Sequence, residues 1–516
     1  MNGAELLIKT AARSGIEVCF ANAGTTEMPI VVALDSVPGV KAILGLFEGV
    51  CTGAADGYGR MLDRPALTLL HLGPGFANGI ANLHNARKAR TPVVNIIGEH
   101  ATWHRDTGAP LAMNIEMLAG AVSGWYKTSE STAALSQDIS NAISASRYGQ
   151  ISTLIVPSDN QWTECDDTII TKPEFEFDPV DSDSIEKAAR LLRKYDKTAM
   201  ILEGRALRKR GLQAAARIKA ATECDLITQR PAYMDRGVGL PDIARIPYFP
   251  EPAVEMLSKY EAVVLVSTGQ PVTFFGYKGL SSYLLNEEQA RVEIGNGRQN
   301  AAEVLEHLAD ELNASVNINN SAGVLADYSR PGIPDREFNP KNICLTLAAL
   351  QPENAIIIDE GITTSTTHYP LTAGLPEHTF ITIVGGSIGY GLPCAVGASI
   401  ACPERPVVDF QADGSAMYTL QALWTAARNG LNVTTLICSN KSYKILKVEL
   451  SRAGVTSFGS QVSALVDLDR PDINWVKLAE GMGVPGVSVD SIGGLAKEFS
   501  NAQAEAGPHL IEMLIS

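Results

Sequence analysis

Short apolar runs alternate with longer amphipathic segments along most of this sequence. The runs fit strands of a parallel sheet, because a strand that is covered on both faces reads as a continuous apolar stretch. Between them, apolar residues recur three and four positions apart, as at Leu420, Leu423 and Ala427, which indicates amphipathic helices. Regular alternation of this kind predicts an α/β protein with doubly wound, mainly parallel sheets. Predicted strands include 42–46, 199–202, 262–266, 291–294, 406–410 and 433–438.

Two segments interrupt the alternation and predict linkers. Segment 166–184 is acidic and contains Pro173, and segment 317–342 is rich in Asn and Gly and contains further prolines. Each of the three remaining parts is long enough to build its own core. We therefore predict three doubly wound domains, at 1–165, 183–320 and 338–516.

Composition narrows the class of protein. The formal net charge of −15 argues against nucleic acid or an acidic membrane surface as a partner. We find no apolar run of membrane-spanning length, and Met1–Glu5 lacks the basic flank of a signal peptide. The eight cysteines form no CxxC pair, which is typical of reduced thiols in a cytoplasmic protein.

The most specific motif lies near the C-terminus. Asp413-Gly414-Ser415 follows one predicted strand, and Asn440 follows the next. Neighbouring parallel strands end at the same edge of a sheet, where α/β proteins bind ligands. A hard cation such as Mg²⁺ prefers oxygen ligands, so we predict Asp413, Asn440 and a loop carbonyl, assigned to Ser442, as a metal site. Gly414 would let the backbone approach a diphosphate. The alternative is an ordinary βαβ unit whose strands happen to end in these residues.

The spacing of these residues resembles the motif that binds thiamin diphosphate (ThDP). Over nearly its whole length the chain resembles the ThDP-dependent 2-oxo acid decarboxylases and acetolactate synthases, with benzoylformate decarboxylase as the nearest match. Segments 15–27, 70–72 and 422–427 carry that match. The resemblance implies ThDP and Mg²⁺ as cofactors, an N-terminal domain that binds the pyrimidine, and a C-terminal domain that binds the diphosphate.

Three catalytic residues follow from the resemblance. Glu48 matches the glutamate that activates the cofactor by hydrogen bonding to N1′ of its pyrimidine, and His71 matches a proton-transfer histidine. Thr25 stands where benzoylformate decarboxylase has an active-site serine. The alternatives are a carboxylate that only complements a helix start, for Glu48, and a core histidine bonded to backbone, for His71.

Further residues would contact the cofactor. Ile388 matches the bulky residue that supports the bent cofactor, and the carbonyl of Gly386 would accept a hydrogen bond from its 4′-amino group. The segment 360–364 resembles the strand end that touches the diphosphate. The predicted cofactor-binding residues are Asn22, Asn78, Thr363, Gly386, Ile388, Gly414, Ser415 and Tyr443.

The resemblance implies that a C2 ylide attacks a 2-oxo acid, releases CO₂ and leaves an enamine that is protonated or joined to a second carbonyl. Acetolactate synthase-type carboligation of pyruvate and a non-catalytic ThDP-binding paralogue are the alternatives. We expect no FAD, because the chain is short for a flavin-carrying member of the family and no flavin-binding element is evident. We also expect no Rossmann dinucleotide site, because the nearest approach to GxGxxG, 73–78, ends in Asn78.

Two departures from benzoylformate decarboxylase bear on the substrate. Gly276 stands where that enzyme has a histidine, and Lys444 and Glu449 stand where it is largely apolar. Because a charge beside a dry pocket must be paired or used on the substrate, we predict a small or polar 2-oxo acid rather than an aryl one. The family also implies a homodimer or homotetramer whose sites lie at the dimer interface.

Overall fold

The computed structural model describes residues 1–170, 175–317 and 323–515. Pro173, position 320 at the predicted end of the central domain, and the C-terminal Ser516 lie outside the described residues. Within the described ranges the chain forms three sheets with helices packed on their faces. The α/β architecture with mainly parallel sheets is therefore as the sequence predicts.

The N-terminal unit is a six-stranded parallel sheet. Its strands are β1 (Val18–Asn22), β2 (Lys41–Leu44), β3 (Ala66–His71), β4 (Val93–Glu99), β5 (Trp125–Thr128) and β6 (Ile151–Pro157). Its helices are α1 (Gly3–Arg13), α2 (Met28–Ser36), α3 (Glu48–Leu62), α4 (Leu72–Ala89), α5 (Ile115–Val122), α6 (Leu135–Ser146) and α7 (Ser158–Trp162). The strand order is β2-β1-β3-β4-β6-β5, so the chain reverses its winding direction between β1 and β3.

The central unit is a five-stranded parallel sheet of order β10-β8-β7-β11-β12. Its elements are α8 (Ser182–Lys194), β7 (Thr198–Leu202), α9 (Lys209–Thr222), β8 (Asp225–Thr228), β9 (Met234–Arg236), β10 (Ala244–Arg245), α10 (Pro250–Ser258), β11 (Ala262–Val266), β12 (Ala290–Ile294) and α11 (Ala301–Glu311). The strand β9 leaves this sheet and joins the C-terminal one.

The C-terminal unit is a seven-stranded sheet of order β17-β18-β16-β15-β13-β14-β9. Its other strands are β13 (Ile356–Glu360), β14 (His378–Thr382), β15 (Val407–Ala412), β16 (Val433–Ser439), β17 (Gly486–Val489) and β18 (His509–Leu514). Its helices are α12 (Pro340–Leu350), α13 (Gly391–Ala401), α14 (Asp413–Ala416), α15 (Ala422–Arg428), α16 (Lys444–Arg452), α17 (Ser460–Val466), α18 (Trp475–Gly481) and α19 (Ile492–Ala504). The antiparallel β9 pairs with β14, and the winding reverses between β13 and β15.

The predicted strands are present with small shifts at their ends. The strand predicted at 42–46 stops at Leu44, and the helix predicted from Leu420 begins at Ala422. The larger difference is β9, which places three residues of the predicted central domain in the sheet of the C-terminal one. Across the described ranges, the helices are all too short or too polar to cross a membrane.

Helices α3 and α13 pack the N-terminal and C-terminal units together. A methyl group added at Gly57 would overlap the carbonyl oxygen of Cys394, and one at Gly397 would overlap that of Ala54. Glycine is needed at both positions because the two backbones approach too closely for a side chain. The starts of these helices, and the loops before them, are thereby fixed relative to each other.

A buried ion pair ties all three units at the same place. Arg60 and Asp56 lie in α3 and are joined by two hydrogen bonds of 2.9 and 2.7 Å. The Arg60 guanidinium also donates to the carbonyl oxygens of Ala232 and Thr382, at 3.0 and 2.9 Å. Because the Arg60 guanidinium donates to backbone carbonyls of the central and C-terminal units, it connects the N-terminal unit to both of them.

Candidate active site

Glu48 is the first residue of α3, directly after the loop that follows β2. Its carboxylate oxygen Oε2 accepts a hydrogen bond of 3.0 Å from the side-chain amide of Asn78, which lies in α4. Glu48 is half-buried and Asn78 is exposed in the single chain. The two predicted site residues therefore meet, and the second carboxylate oxygen of Glu48 is available to a ligand.

His71 ends β3 and is held by a buried carboxylate. Its Nδ1 lies 2.8 Å from Oε2 of Glu27, whose side chain is fully buried while that of His71 is one-fifth exposed. Glu27 Oε2 also accepts the backbone N–H of Gly24 at 2.7 Å. A carboxylate at Nδ1 orients the imidazole and leaves Nε2 as the nitrogen that exchanges a proton.

Gly75 brings these two groups to one place. A methyl group added there would lie 3.1 Å from Glu48 Oε1 and 3.3 Å from the Cβ atom of His71. Gly24 is equally constrained, because a methyl group at that position would overlap the imidazole ring. The carboxylate of Glu48 and the side chain of His71 therefore lie close together at the carboxyl edge of the N-terminal sheet.

The structure places Thr26, not Thr25, beside the histidine. Thr26 Oγ1 lies 3.1 Å from His71 Nδ1, whereas Thr25 is exposed. Glu27 was not singled out from the sequence, although one signal existed: it follows β1, and His71 ends the neighbouring strand β3 at the same edge. Asn22 also lies there, where it donates to the carbonyl of Gly45 at 2.8 Å.

Asp413 occupies the corresponding edge of the C-terminal sheet. Its two carboxylate oxygens accept backbone N–H groups of Gly414 at 2.8 Å and Lys441 at 2.7 Å. Burial raises the pKa of Asp413 to about 6, against the lowering effect of these donors. Because a buried carboxylate is costly without a counter-charge, this position suits a bound cation.

The other predicted metal ligands lie just after β16. The side-chain oxygen of Asn440 accepts the backbone N–H of Ser442 at 3.0 Å, and the Ser442 carbonyl accepts that of Lys444 at 2.8 Å. No cluster of three His, Cys, Asp or Glu side chains suited to a metal occurs in the described ranges. A site with one carboxylate, one amide and one carbonyl fits Mg²⁺, which takes its remaining ligands from phosphate and water.

A glycine-rich turn, 385–391, precedes α13 and carries two predicted cofactor contacts, Gly386 and Ile388. Gly386 has φ of +76°, and a methyl group there would meet open space. The turn is held from the N-terminal unit: Asn85 donates to the carbonyl of Ser387 at 2.8 Å, and Asn82 to that of Gly389 at 3.3 Å. Its open side is therefore available to a ligand.

The remaining predicted contacts surround the reversal point between β13 and β15. A methyl group at Gly414 would overlap the ring of Tyr443, so glycine allows the close approach of that ring. Ser415 is buried and Thr363 is half-buried in the loop after β13. Ligands of doubly wound sheets bind at such reversal points, and small residues there suit a diphosphate.

The charged residues that suggested a polar substrate behave differently from one another. Glu449 accepts a hydrogen bond of 3.0 Å from the hydroxyl of Tyr277 and lies 3.8 Å from Arg452. Its charge is thus engaged between the C-terminal and central units, which removes it as an argument about the substrate. Lys444 and Gly276 are exposed.

Comparison with known proteins identifies the class. Residues 1–117 match the N-terminal TPP binding domain of thiamine pyrophosphate enzymes, and residues 361–513 match their C-terminal TPP binding domain. IlvX of Mycobacterium tuberculosis, whose name assigns it provisionally to the acetolactate synthase large subunits, is 44% identical over 100% of this chain and 99% of its own length. Benzoylformate decarboxylase of Pseudomonas aeruginosa is 26% identical over 97% of this chain and 96% of its own length.

Solved structures agree on the fold. A thiamine diphosphate-dependent 4-hydroxybenzoylformate decarboxylase of Rhodococcus jostii superposes with a TM-score of 0.84 at 21% identity, covering 100% of this chain and 99% of its own. The chain belongs to the thiamine pyrophosphate enzyme family, with both of its cofactor-binding domains. Within that family it stands with the 2-oxo acid decarboxylases and acetolactate synthase-like proteins.

Proposed function

We propose that the protein is a ThDP- and Mg²⁺-dependent decarboxylase of a small or polar 2-oxo acid. The observation that carries this proposal is the His71–Glu27 pair beside Glu48, because decarboxylation ends with a proton delivered to carbon. An oriented imidazole with one free nitrogen suits that delivery. The protein chain supplies the geometry and the proton, and the cofactor supplies the carbon chemistry.

Bound ThDP would supply the carbon nucleophile that attacks the 2-oxo group and the electron sink that accepts the pair left by carbon dioxide. With the cofactor bound, one carboxylate oxygen of Glu48 would share a proton with N1′ of the pyrimidine, while Asn78 donates to the other oxygen. His71 Nε2 gives a proton to the product, and Glu27 stabilises the ring while it is charged. Asn22 and Thr25 line the same edge.

Asp413, Asn440 and the Ser442 carbonyl would hold Mg²⁺ against the diphosphate. The backbone of Gly414 and Ser415 would lie along the phosphate oxygens, with Thr363 and Tyr443 on either side. The support is the buried Asp413 carboxylate, whose hydrogen-bond partners in the described part of the chain are backbone N–H groups. The Gly386 carbonyl and Ile388 would contact the part of the cofactor that lies between its pyrimidine and thiazolium rings.

The second candidate is carboligation, in which a second carbonyl compound replaces the proton. The 44% identity to IlvX, which is named for acetolactate synthase, favours it. Incubation with pyruvate, ThDP and Mg²⁺ separates the two: decarboxylation gives acetaldehyde and carboligation gives acetolactate. Acetolactate as the main product, unchanged in His71→Ala, would contradict the decarboxylase proposal.

With Glu449 bonded to Tyr277, the proposed substrate class rests on the charge of the exposed Lys444 and on the methyl group that Thr25 adds relative to serine. A steady-state panel of 2-oxo acids tests it. We expect pyruvate or a polar 2-oxo acid to have a higher kcat/KM than benzoylformate. If benzoylformate had the highest value of the panel, the proposed substrate class would be abandoned.

We also propose a homodimer, or a homotetramer built from dimers, in the cytoplasm, with each site completed by a second copy. Apolar side chains next to both halves of the site are open to solvent in the single chain: Leu46 is 45% exposed and Tyr418 54%. The eight free cysteines fit a reducing compartment. Sedimentation at assay concentration tests the assembly, and a fully active monomer would exclude it.

A further inference from the structure

Asp409 is an unusual residue for its position. It lies in the middle of β15, its side chain is fully buried, and the neighbouring residues Val408 and Phe410 are apolar. Among the described residues, neither of its carboxylate oxygens has a hydrogen-bond partner. Because an ionised carboxylate in such surroundings would be very costly, its presence needs a physical explanation.

Strand pairing places Asp409 on the same face as Glu360. In the parallel register of β13 and β15, Asp409 is opposite Ile358 and Gln411 is opposite Glu360. Side chains two apart on a strand share a face. A methyl group added at Gly391 would lie 2.6 Å from Asp409 Oδ1 and 3.2 Å from Glu360 Oε2. The two carboxyl groups therefore converge beneath the start of α13.

The two groups differ in their hydrogen-bond donors. Glu360 accepts the backbone N–H groups of Gly389 at 2.8 Å, Tyr390 at 3.0 Å and Gly391 at 2.6 Å. It also accepts the side-chain amide of Gln411 at 3.0 Å. Asp409 accepts none. Two buried carboxyl groups this close cannot both ionise easily, so the charge belongs on Glu360 and the proton on Asp409.

The surrounding groups agree with that assignment. Burial, followed by the charges of Glu360 and Asp359, raises the pKa of Asp409 well above its ordinary value, while burial raises that of Glu360 to about 7. In α13 the thiol of Cys394 lies near Asp409 and donates to the hydroxyl of Tyr390 at 2.9 Å, and in β16 Thr435 is opposite Asp409 in the register. None of these is a cation.

The buried Arg60 of the N-terminal unit is already paired with another carboxylate. Arg60 lies over the ring of Tyr390, with 4.5 Å to the ring centre, but its own partner is Asp56 at 2.7 Å. Asp359 lies on the opposite face of β13, where it accepts the backbone N–H of Gly361 at 3.1 Å. Within the described residues, Asp409 therefore has a carboxylate neighbour and no counter-ion.

We propose that Asp409 is a positioning residue that keeps its proton after Glu360 has ionised, so that Glu360 is the anion that fixes the turn at 389–391. The inference rests on the proposed function, since Gly386 and Ile388 of the same turn are the proposed cofactor contacts. When Asp409 loses its proton at alkaline pH, two buried carboxylates repel each other. The turn then loosens and cofactor affinity falls.

The proton on Asp409 makes the stability of the fold depend on pH in one direction. A carboxyl group that keeps its proton in the folded state binds more protons there than in the unfolded state, above a pH of about 4. Its contribution to stability is therefore complete below about pH 4 and is lost as the pH rises towards the folded-state pKa. The folding equilibrium constant should fall up to about tenfold per pH unit from this one group. Asp409→Asn should remove that slope.

The closing experiment compares the wild-type protein with Asp409→Asn and, as matched control, Asp359→Asn on the other face of the sheet. Infrared spectra at about pH 9, above the pKa of Glu360 and of Asp413, should show the carbonyl band of a protonated carboxylic acid in wild type and control, and lose it in Asp409→Asn. Calorimetric titration with ThDP and Mg²⁺ should show a dissociation constant that rises about tenfold per pH unit in the alkaline range for wild type and control only.

Three results would overturn the proposal: an infrared spectrum unchanged by Asp409→Asn, an equal pH slope of ThDP affinity in wild type and Asp409→Asn, or loss of that slope in the control. If Asp409→Asn did not fold, a wild-type protein without an acid carbonyl band would overturn it. Failure of the proposed function looks different. Wild type would then bind no ThDP at any pH, although the infrared band and the slope of stability with pH would persist.

Discussion

The carboxyl edges of the N-terminal and C-terminal sheets share the same topology but carry different functional groups. Each lies where the winding reverses, between β1 and β3 in one sheet and between β13 and β15 in the other. The N-terminal edge presents ionisable side chains, with Glu48 and His71 around Gly75. At the C-terminal edge, backbone N–H groups surround the Asp413 carboxylate, and glycine turns keep the space open.

The difference follows from the chemistry that each edge supports. Moving a proton needs a titratable side chain that is held in orientation, as Glu27 holds His71. Holding a diphosphate and a cation needs oxygen ligands and N–H donors with little bulk between them. A change at the N-terminal edge should therefore alter turnover, and a change at the C-terminal edge should alter cofactor affinity.

The largest effect is expected from Glu48→Gln. The amide fills the same space but cannot exchange a proton with the pyrimidine nitrogen, so turnover should fall about 10²–10⁴-fold. The dissociation constant of ThDP should change little. Steady-state kinetics measures the turnover and calorimetric titration measures the dissociation constant of ThDP, with the exposed Glu130→Gln as control. A variant with wild-type turnover would remove Glu48 from its proposed role.

Asp413→Ala should act in the opposite way. Removing a buried carboxylate that holds the cation leaves the diphosphate charge uncompensated, so the dissociation constant of ThDP should rise roughly 10²-fold, about 3 kcal/mol. Saturating cofactor should restore part of the turnover. Titration in the presence of Mg²⁺ measures this, and Asp490→Ala, an exposed position of the same unit, is the control. Unchanged affinity would show that the metal lies elsewhere.

Glu27→Gln tests orientation rather than proton transfer itself. In this variant His71 is still present, but its Nδ1 no longer has a carboxylate partner. Turnover should fall about 10–100-fold, the range typical of a group that orients another. ThDP affinity should be unaffected. If His71→Ala were no slower than wild type, the pair would have no catalytic part.

The smallest effects compare one added methyl group at the two edges. In Gly24→Ala the methyl would press on the His71 ring, and in Gly414→Ala on the Tyr443 ring. We expect kcat to fall about tenfold in the first and ThDP affinity to fall about tenfold in the second, ~1.4 kcal/mol. Gly120→Ala, where the nearest atom is 3.7 Å away, is the control. Equal effects on both quantities in both variants would break the comparison.

Much of this protein is determined by sequence patterns of short range. Strand and helix periodicity predicts the α/β class and most strands, because burial on both faces of a sheet leaves a local signature. The spacing of Asp413 and Asn440 identifies the cofactor-binding edge for a similar reason: one βαβ unit brings both to adjacent strand ends. The strand β9 could not be predicted in this way, because three residues are too few to show a hydrophobic period.

Only the tertiary structure decides which side chains become partners. Thr26 rather than Thr25 faces His71, and Glu449 bonds to Tyr277 of another unit. Asp409 meets Glu360, 49 positions away in the sequence, because β13 and β15 pair in one particular register. Such contacts depend on strand order, register and side-chain direction, which are set by the packing of distant segments. The periodicity of apolar residues along the chain therefore does not predict these contacts.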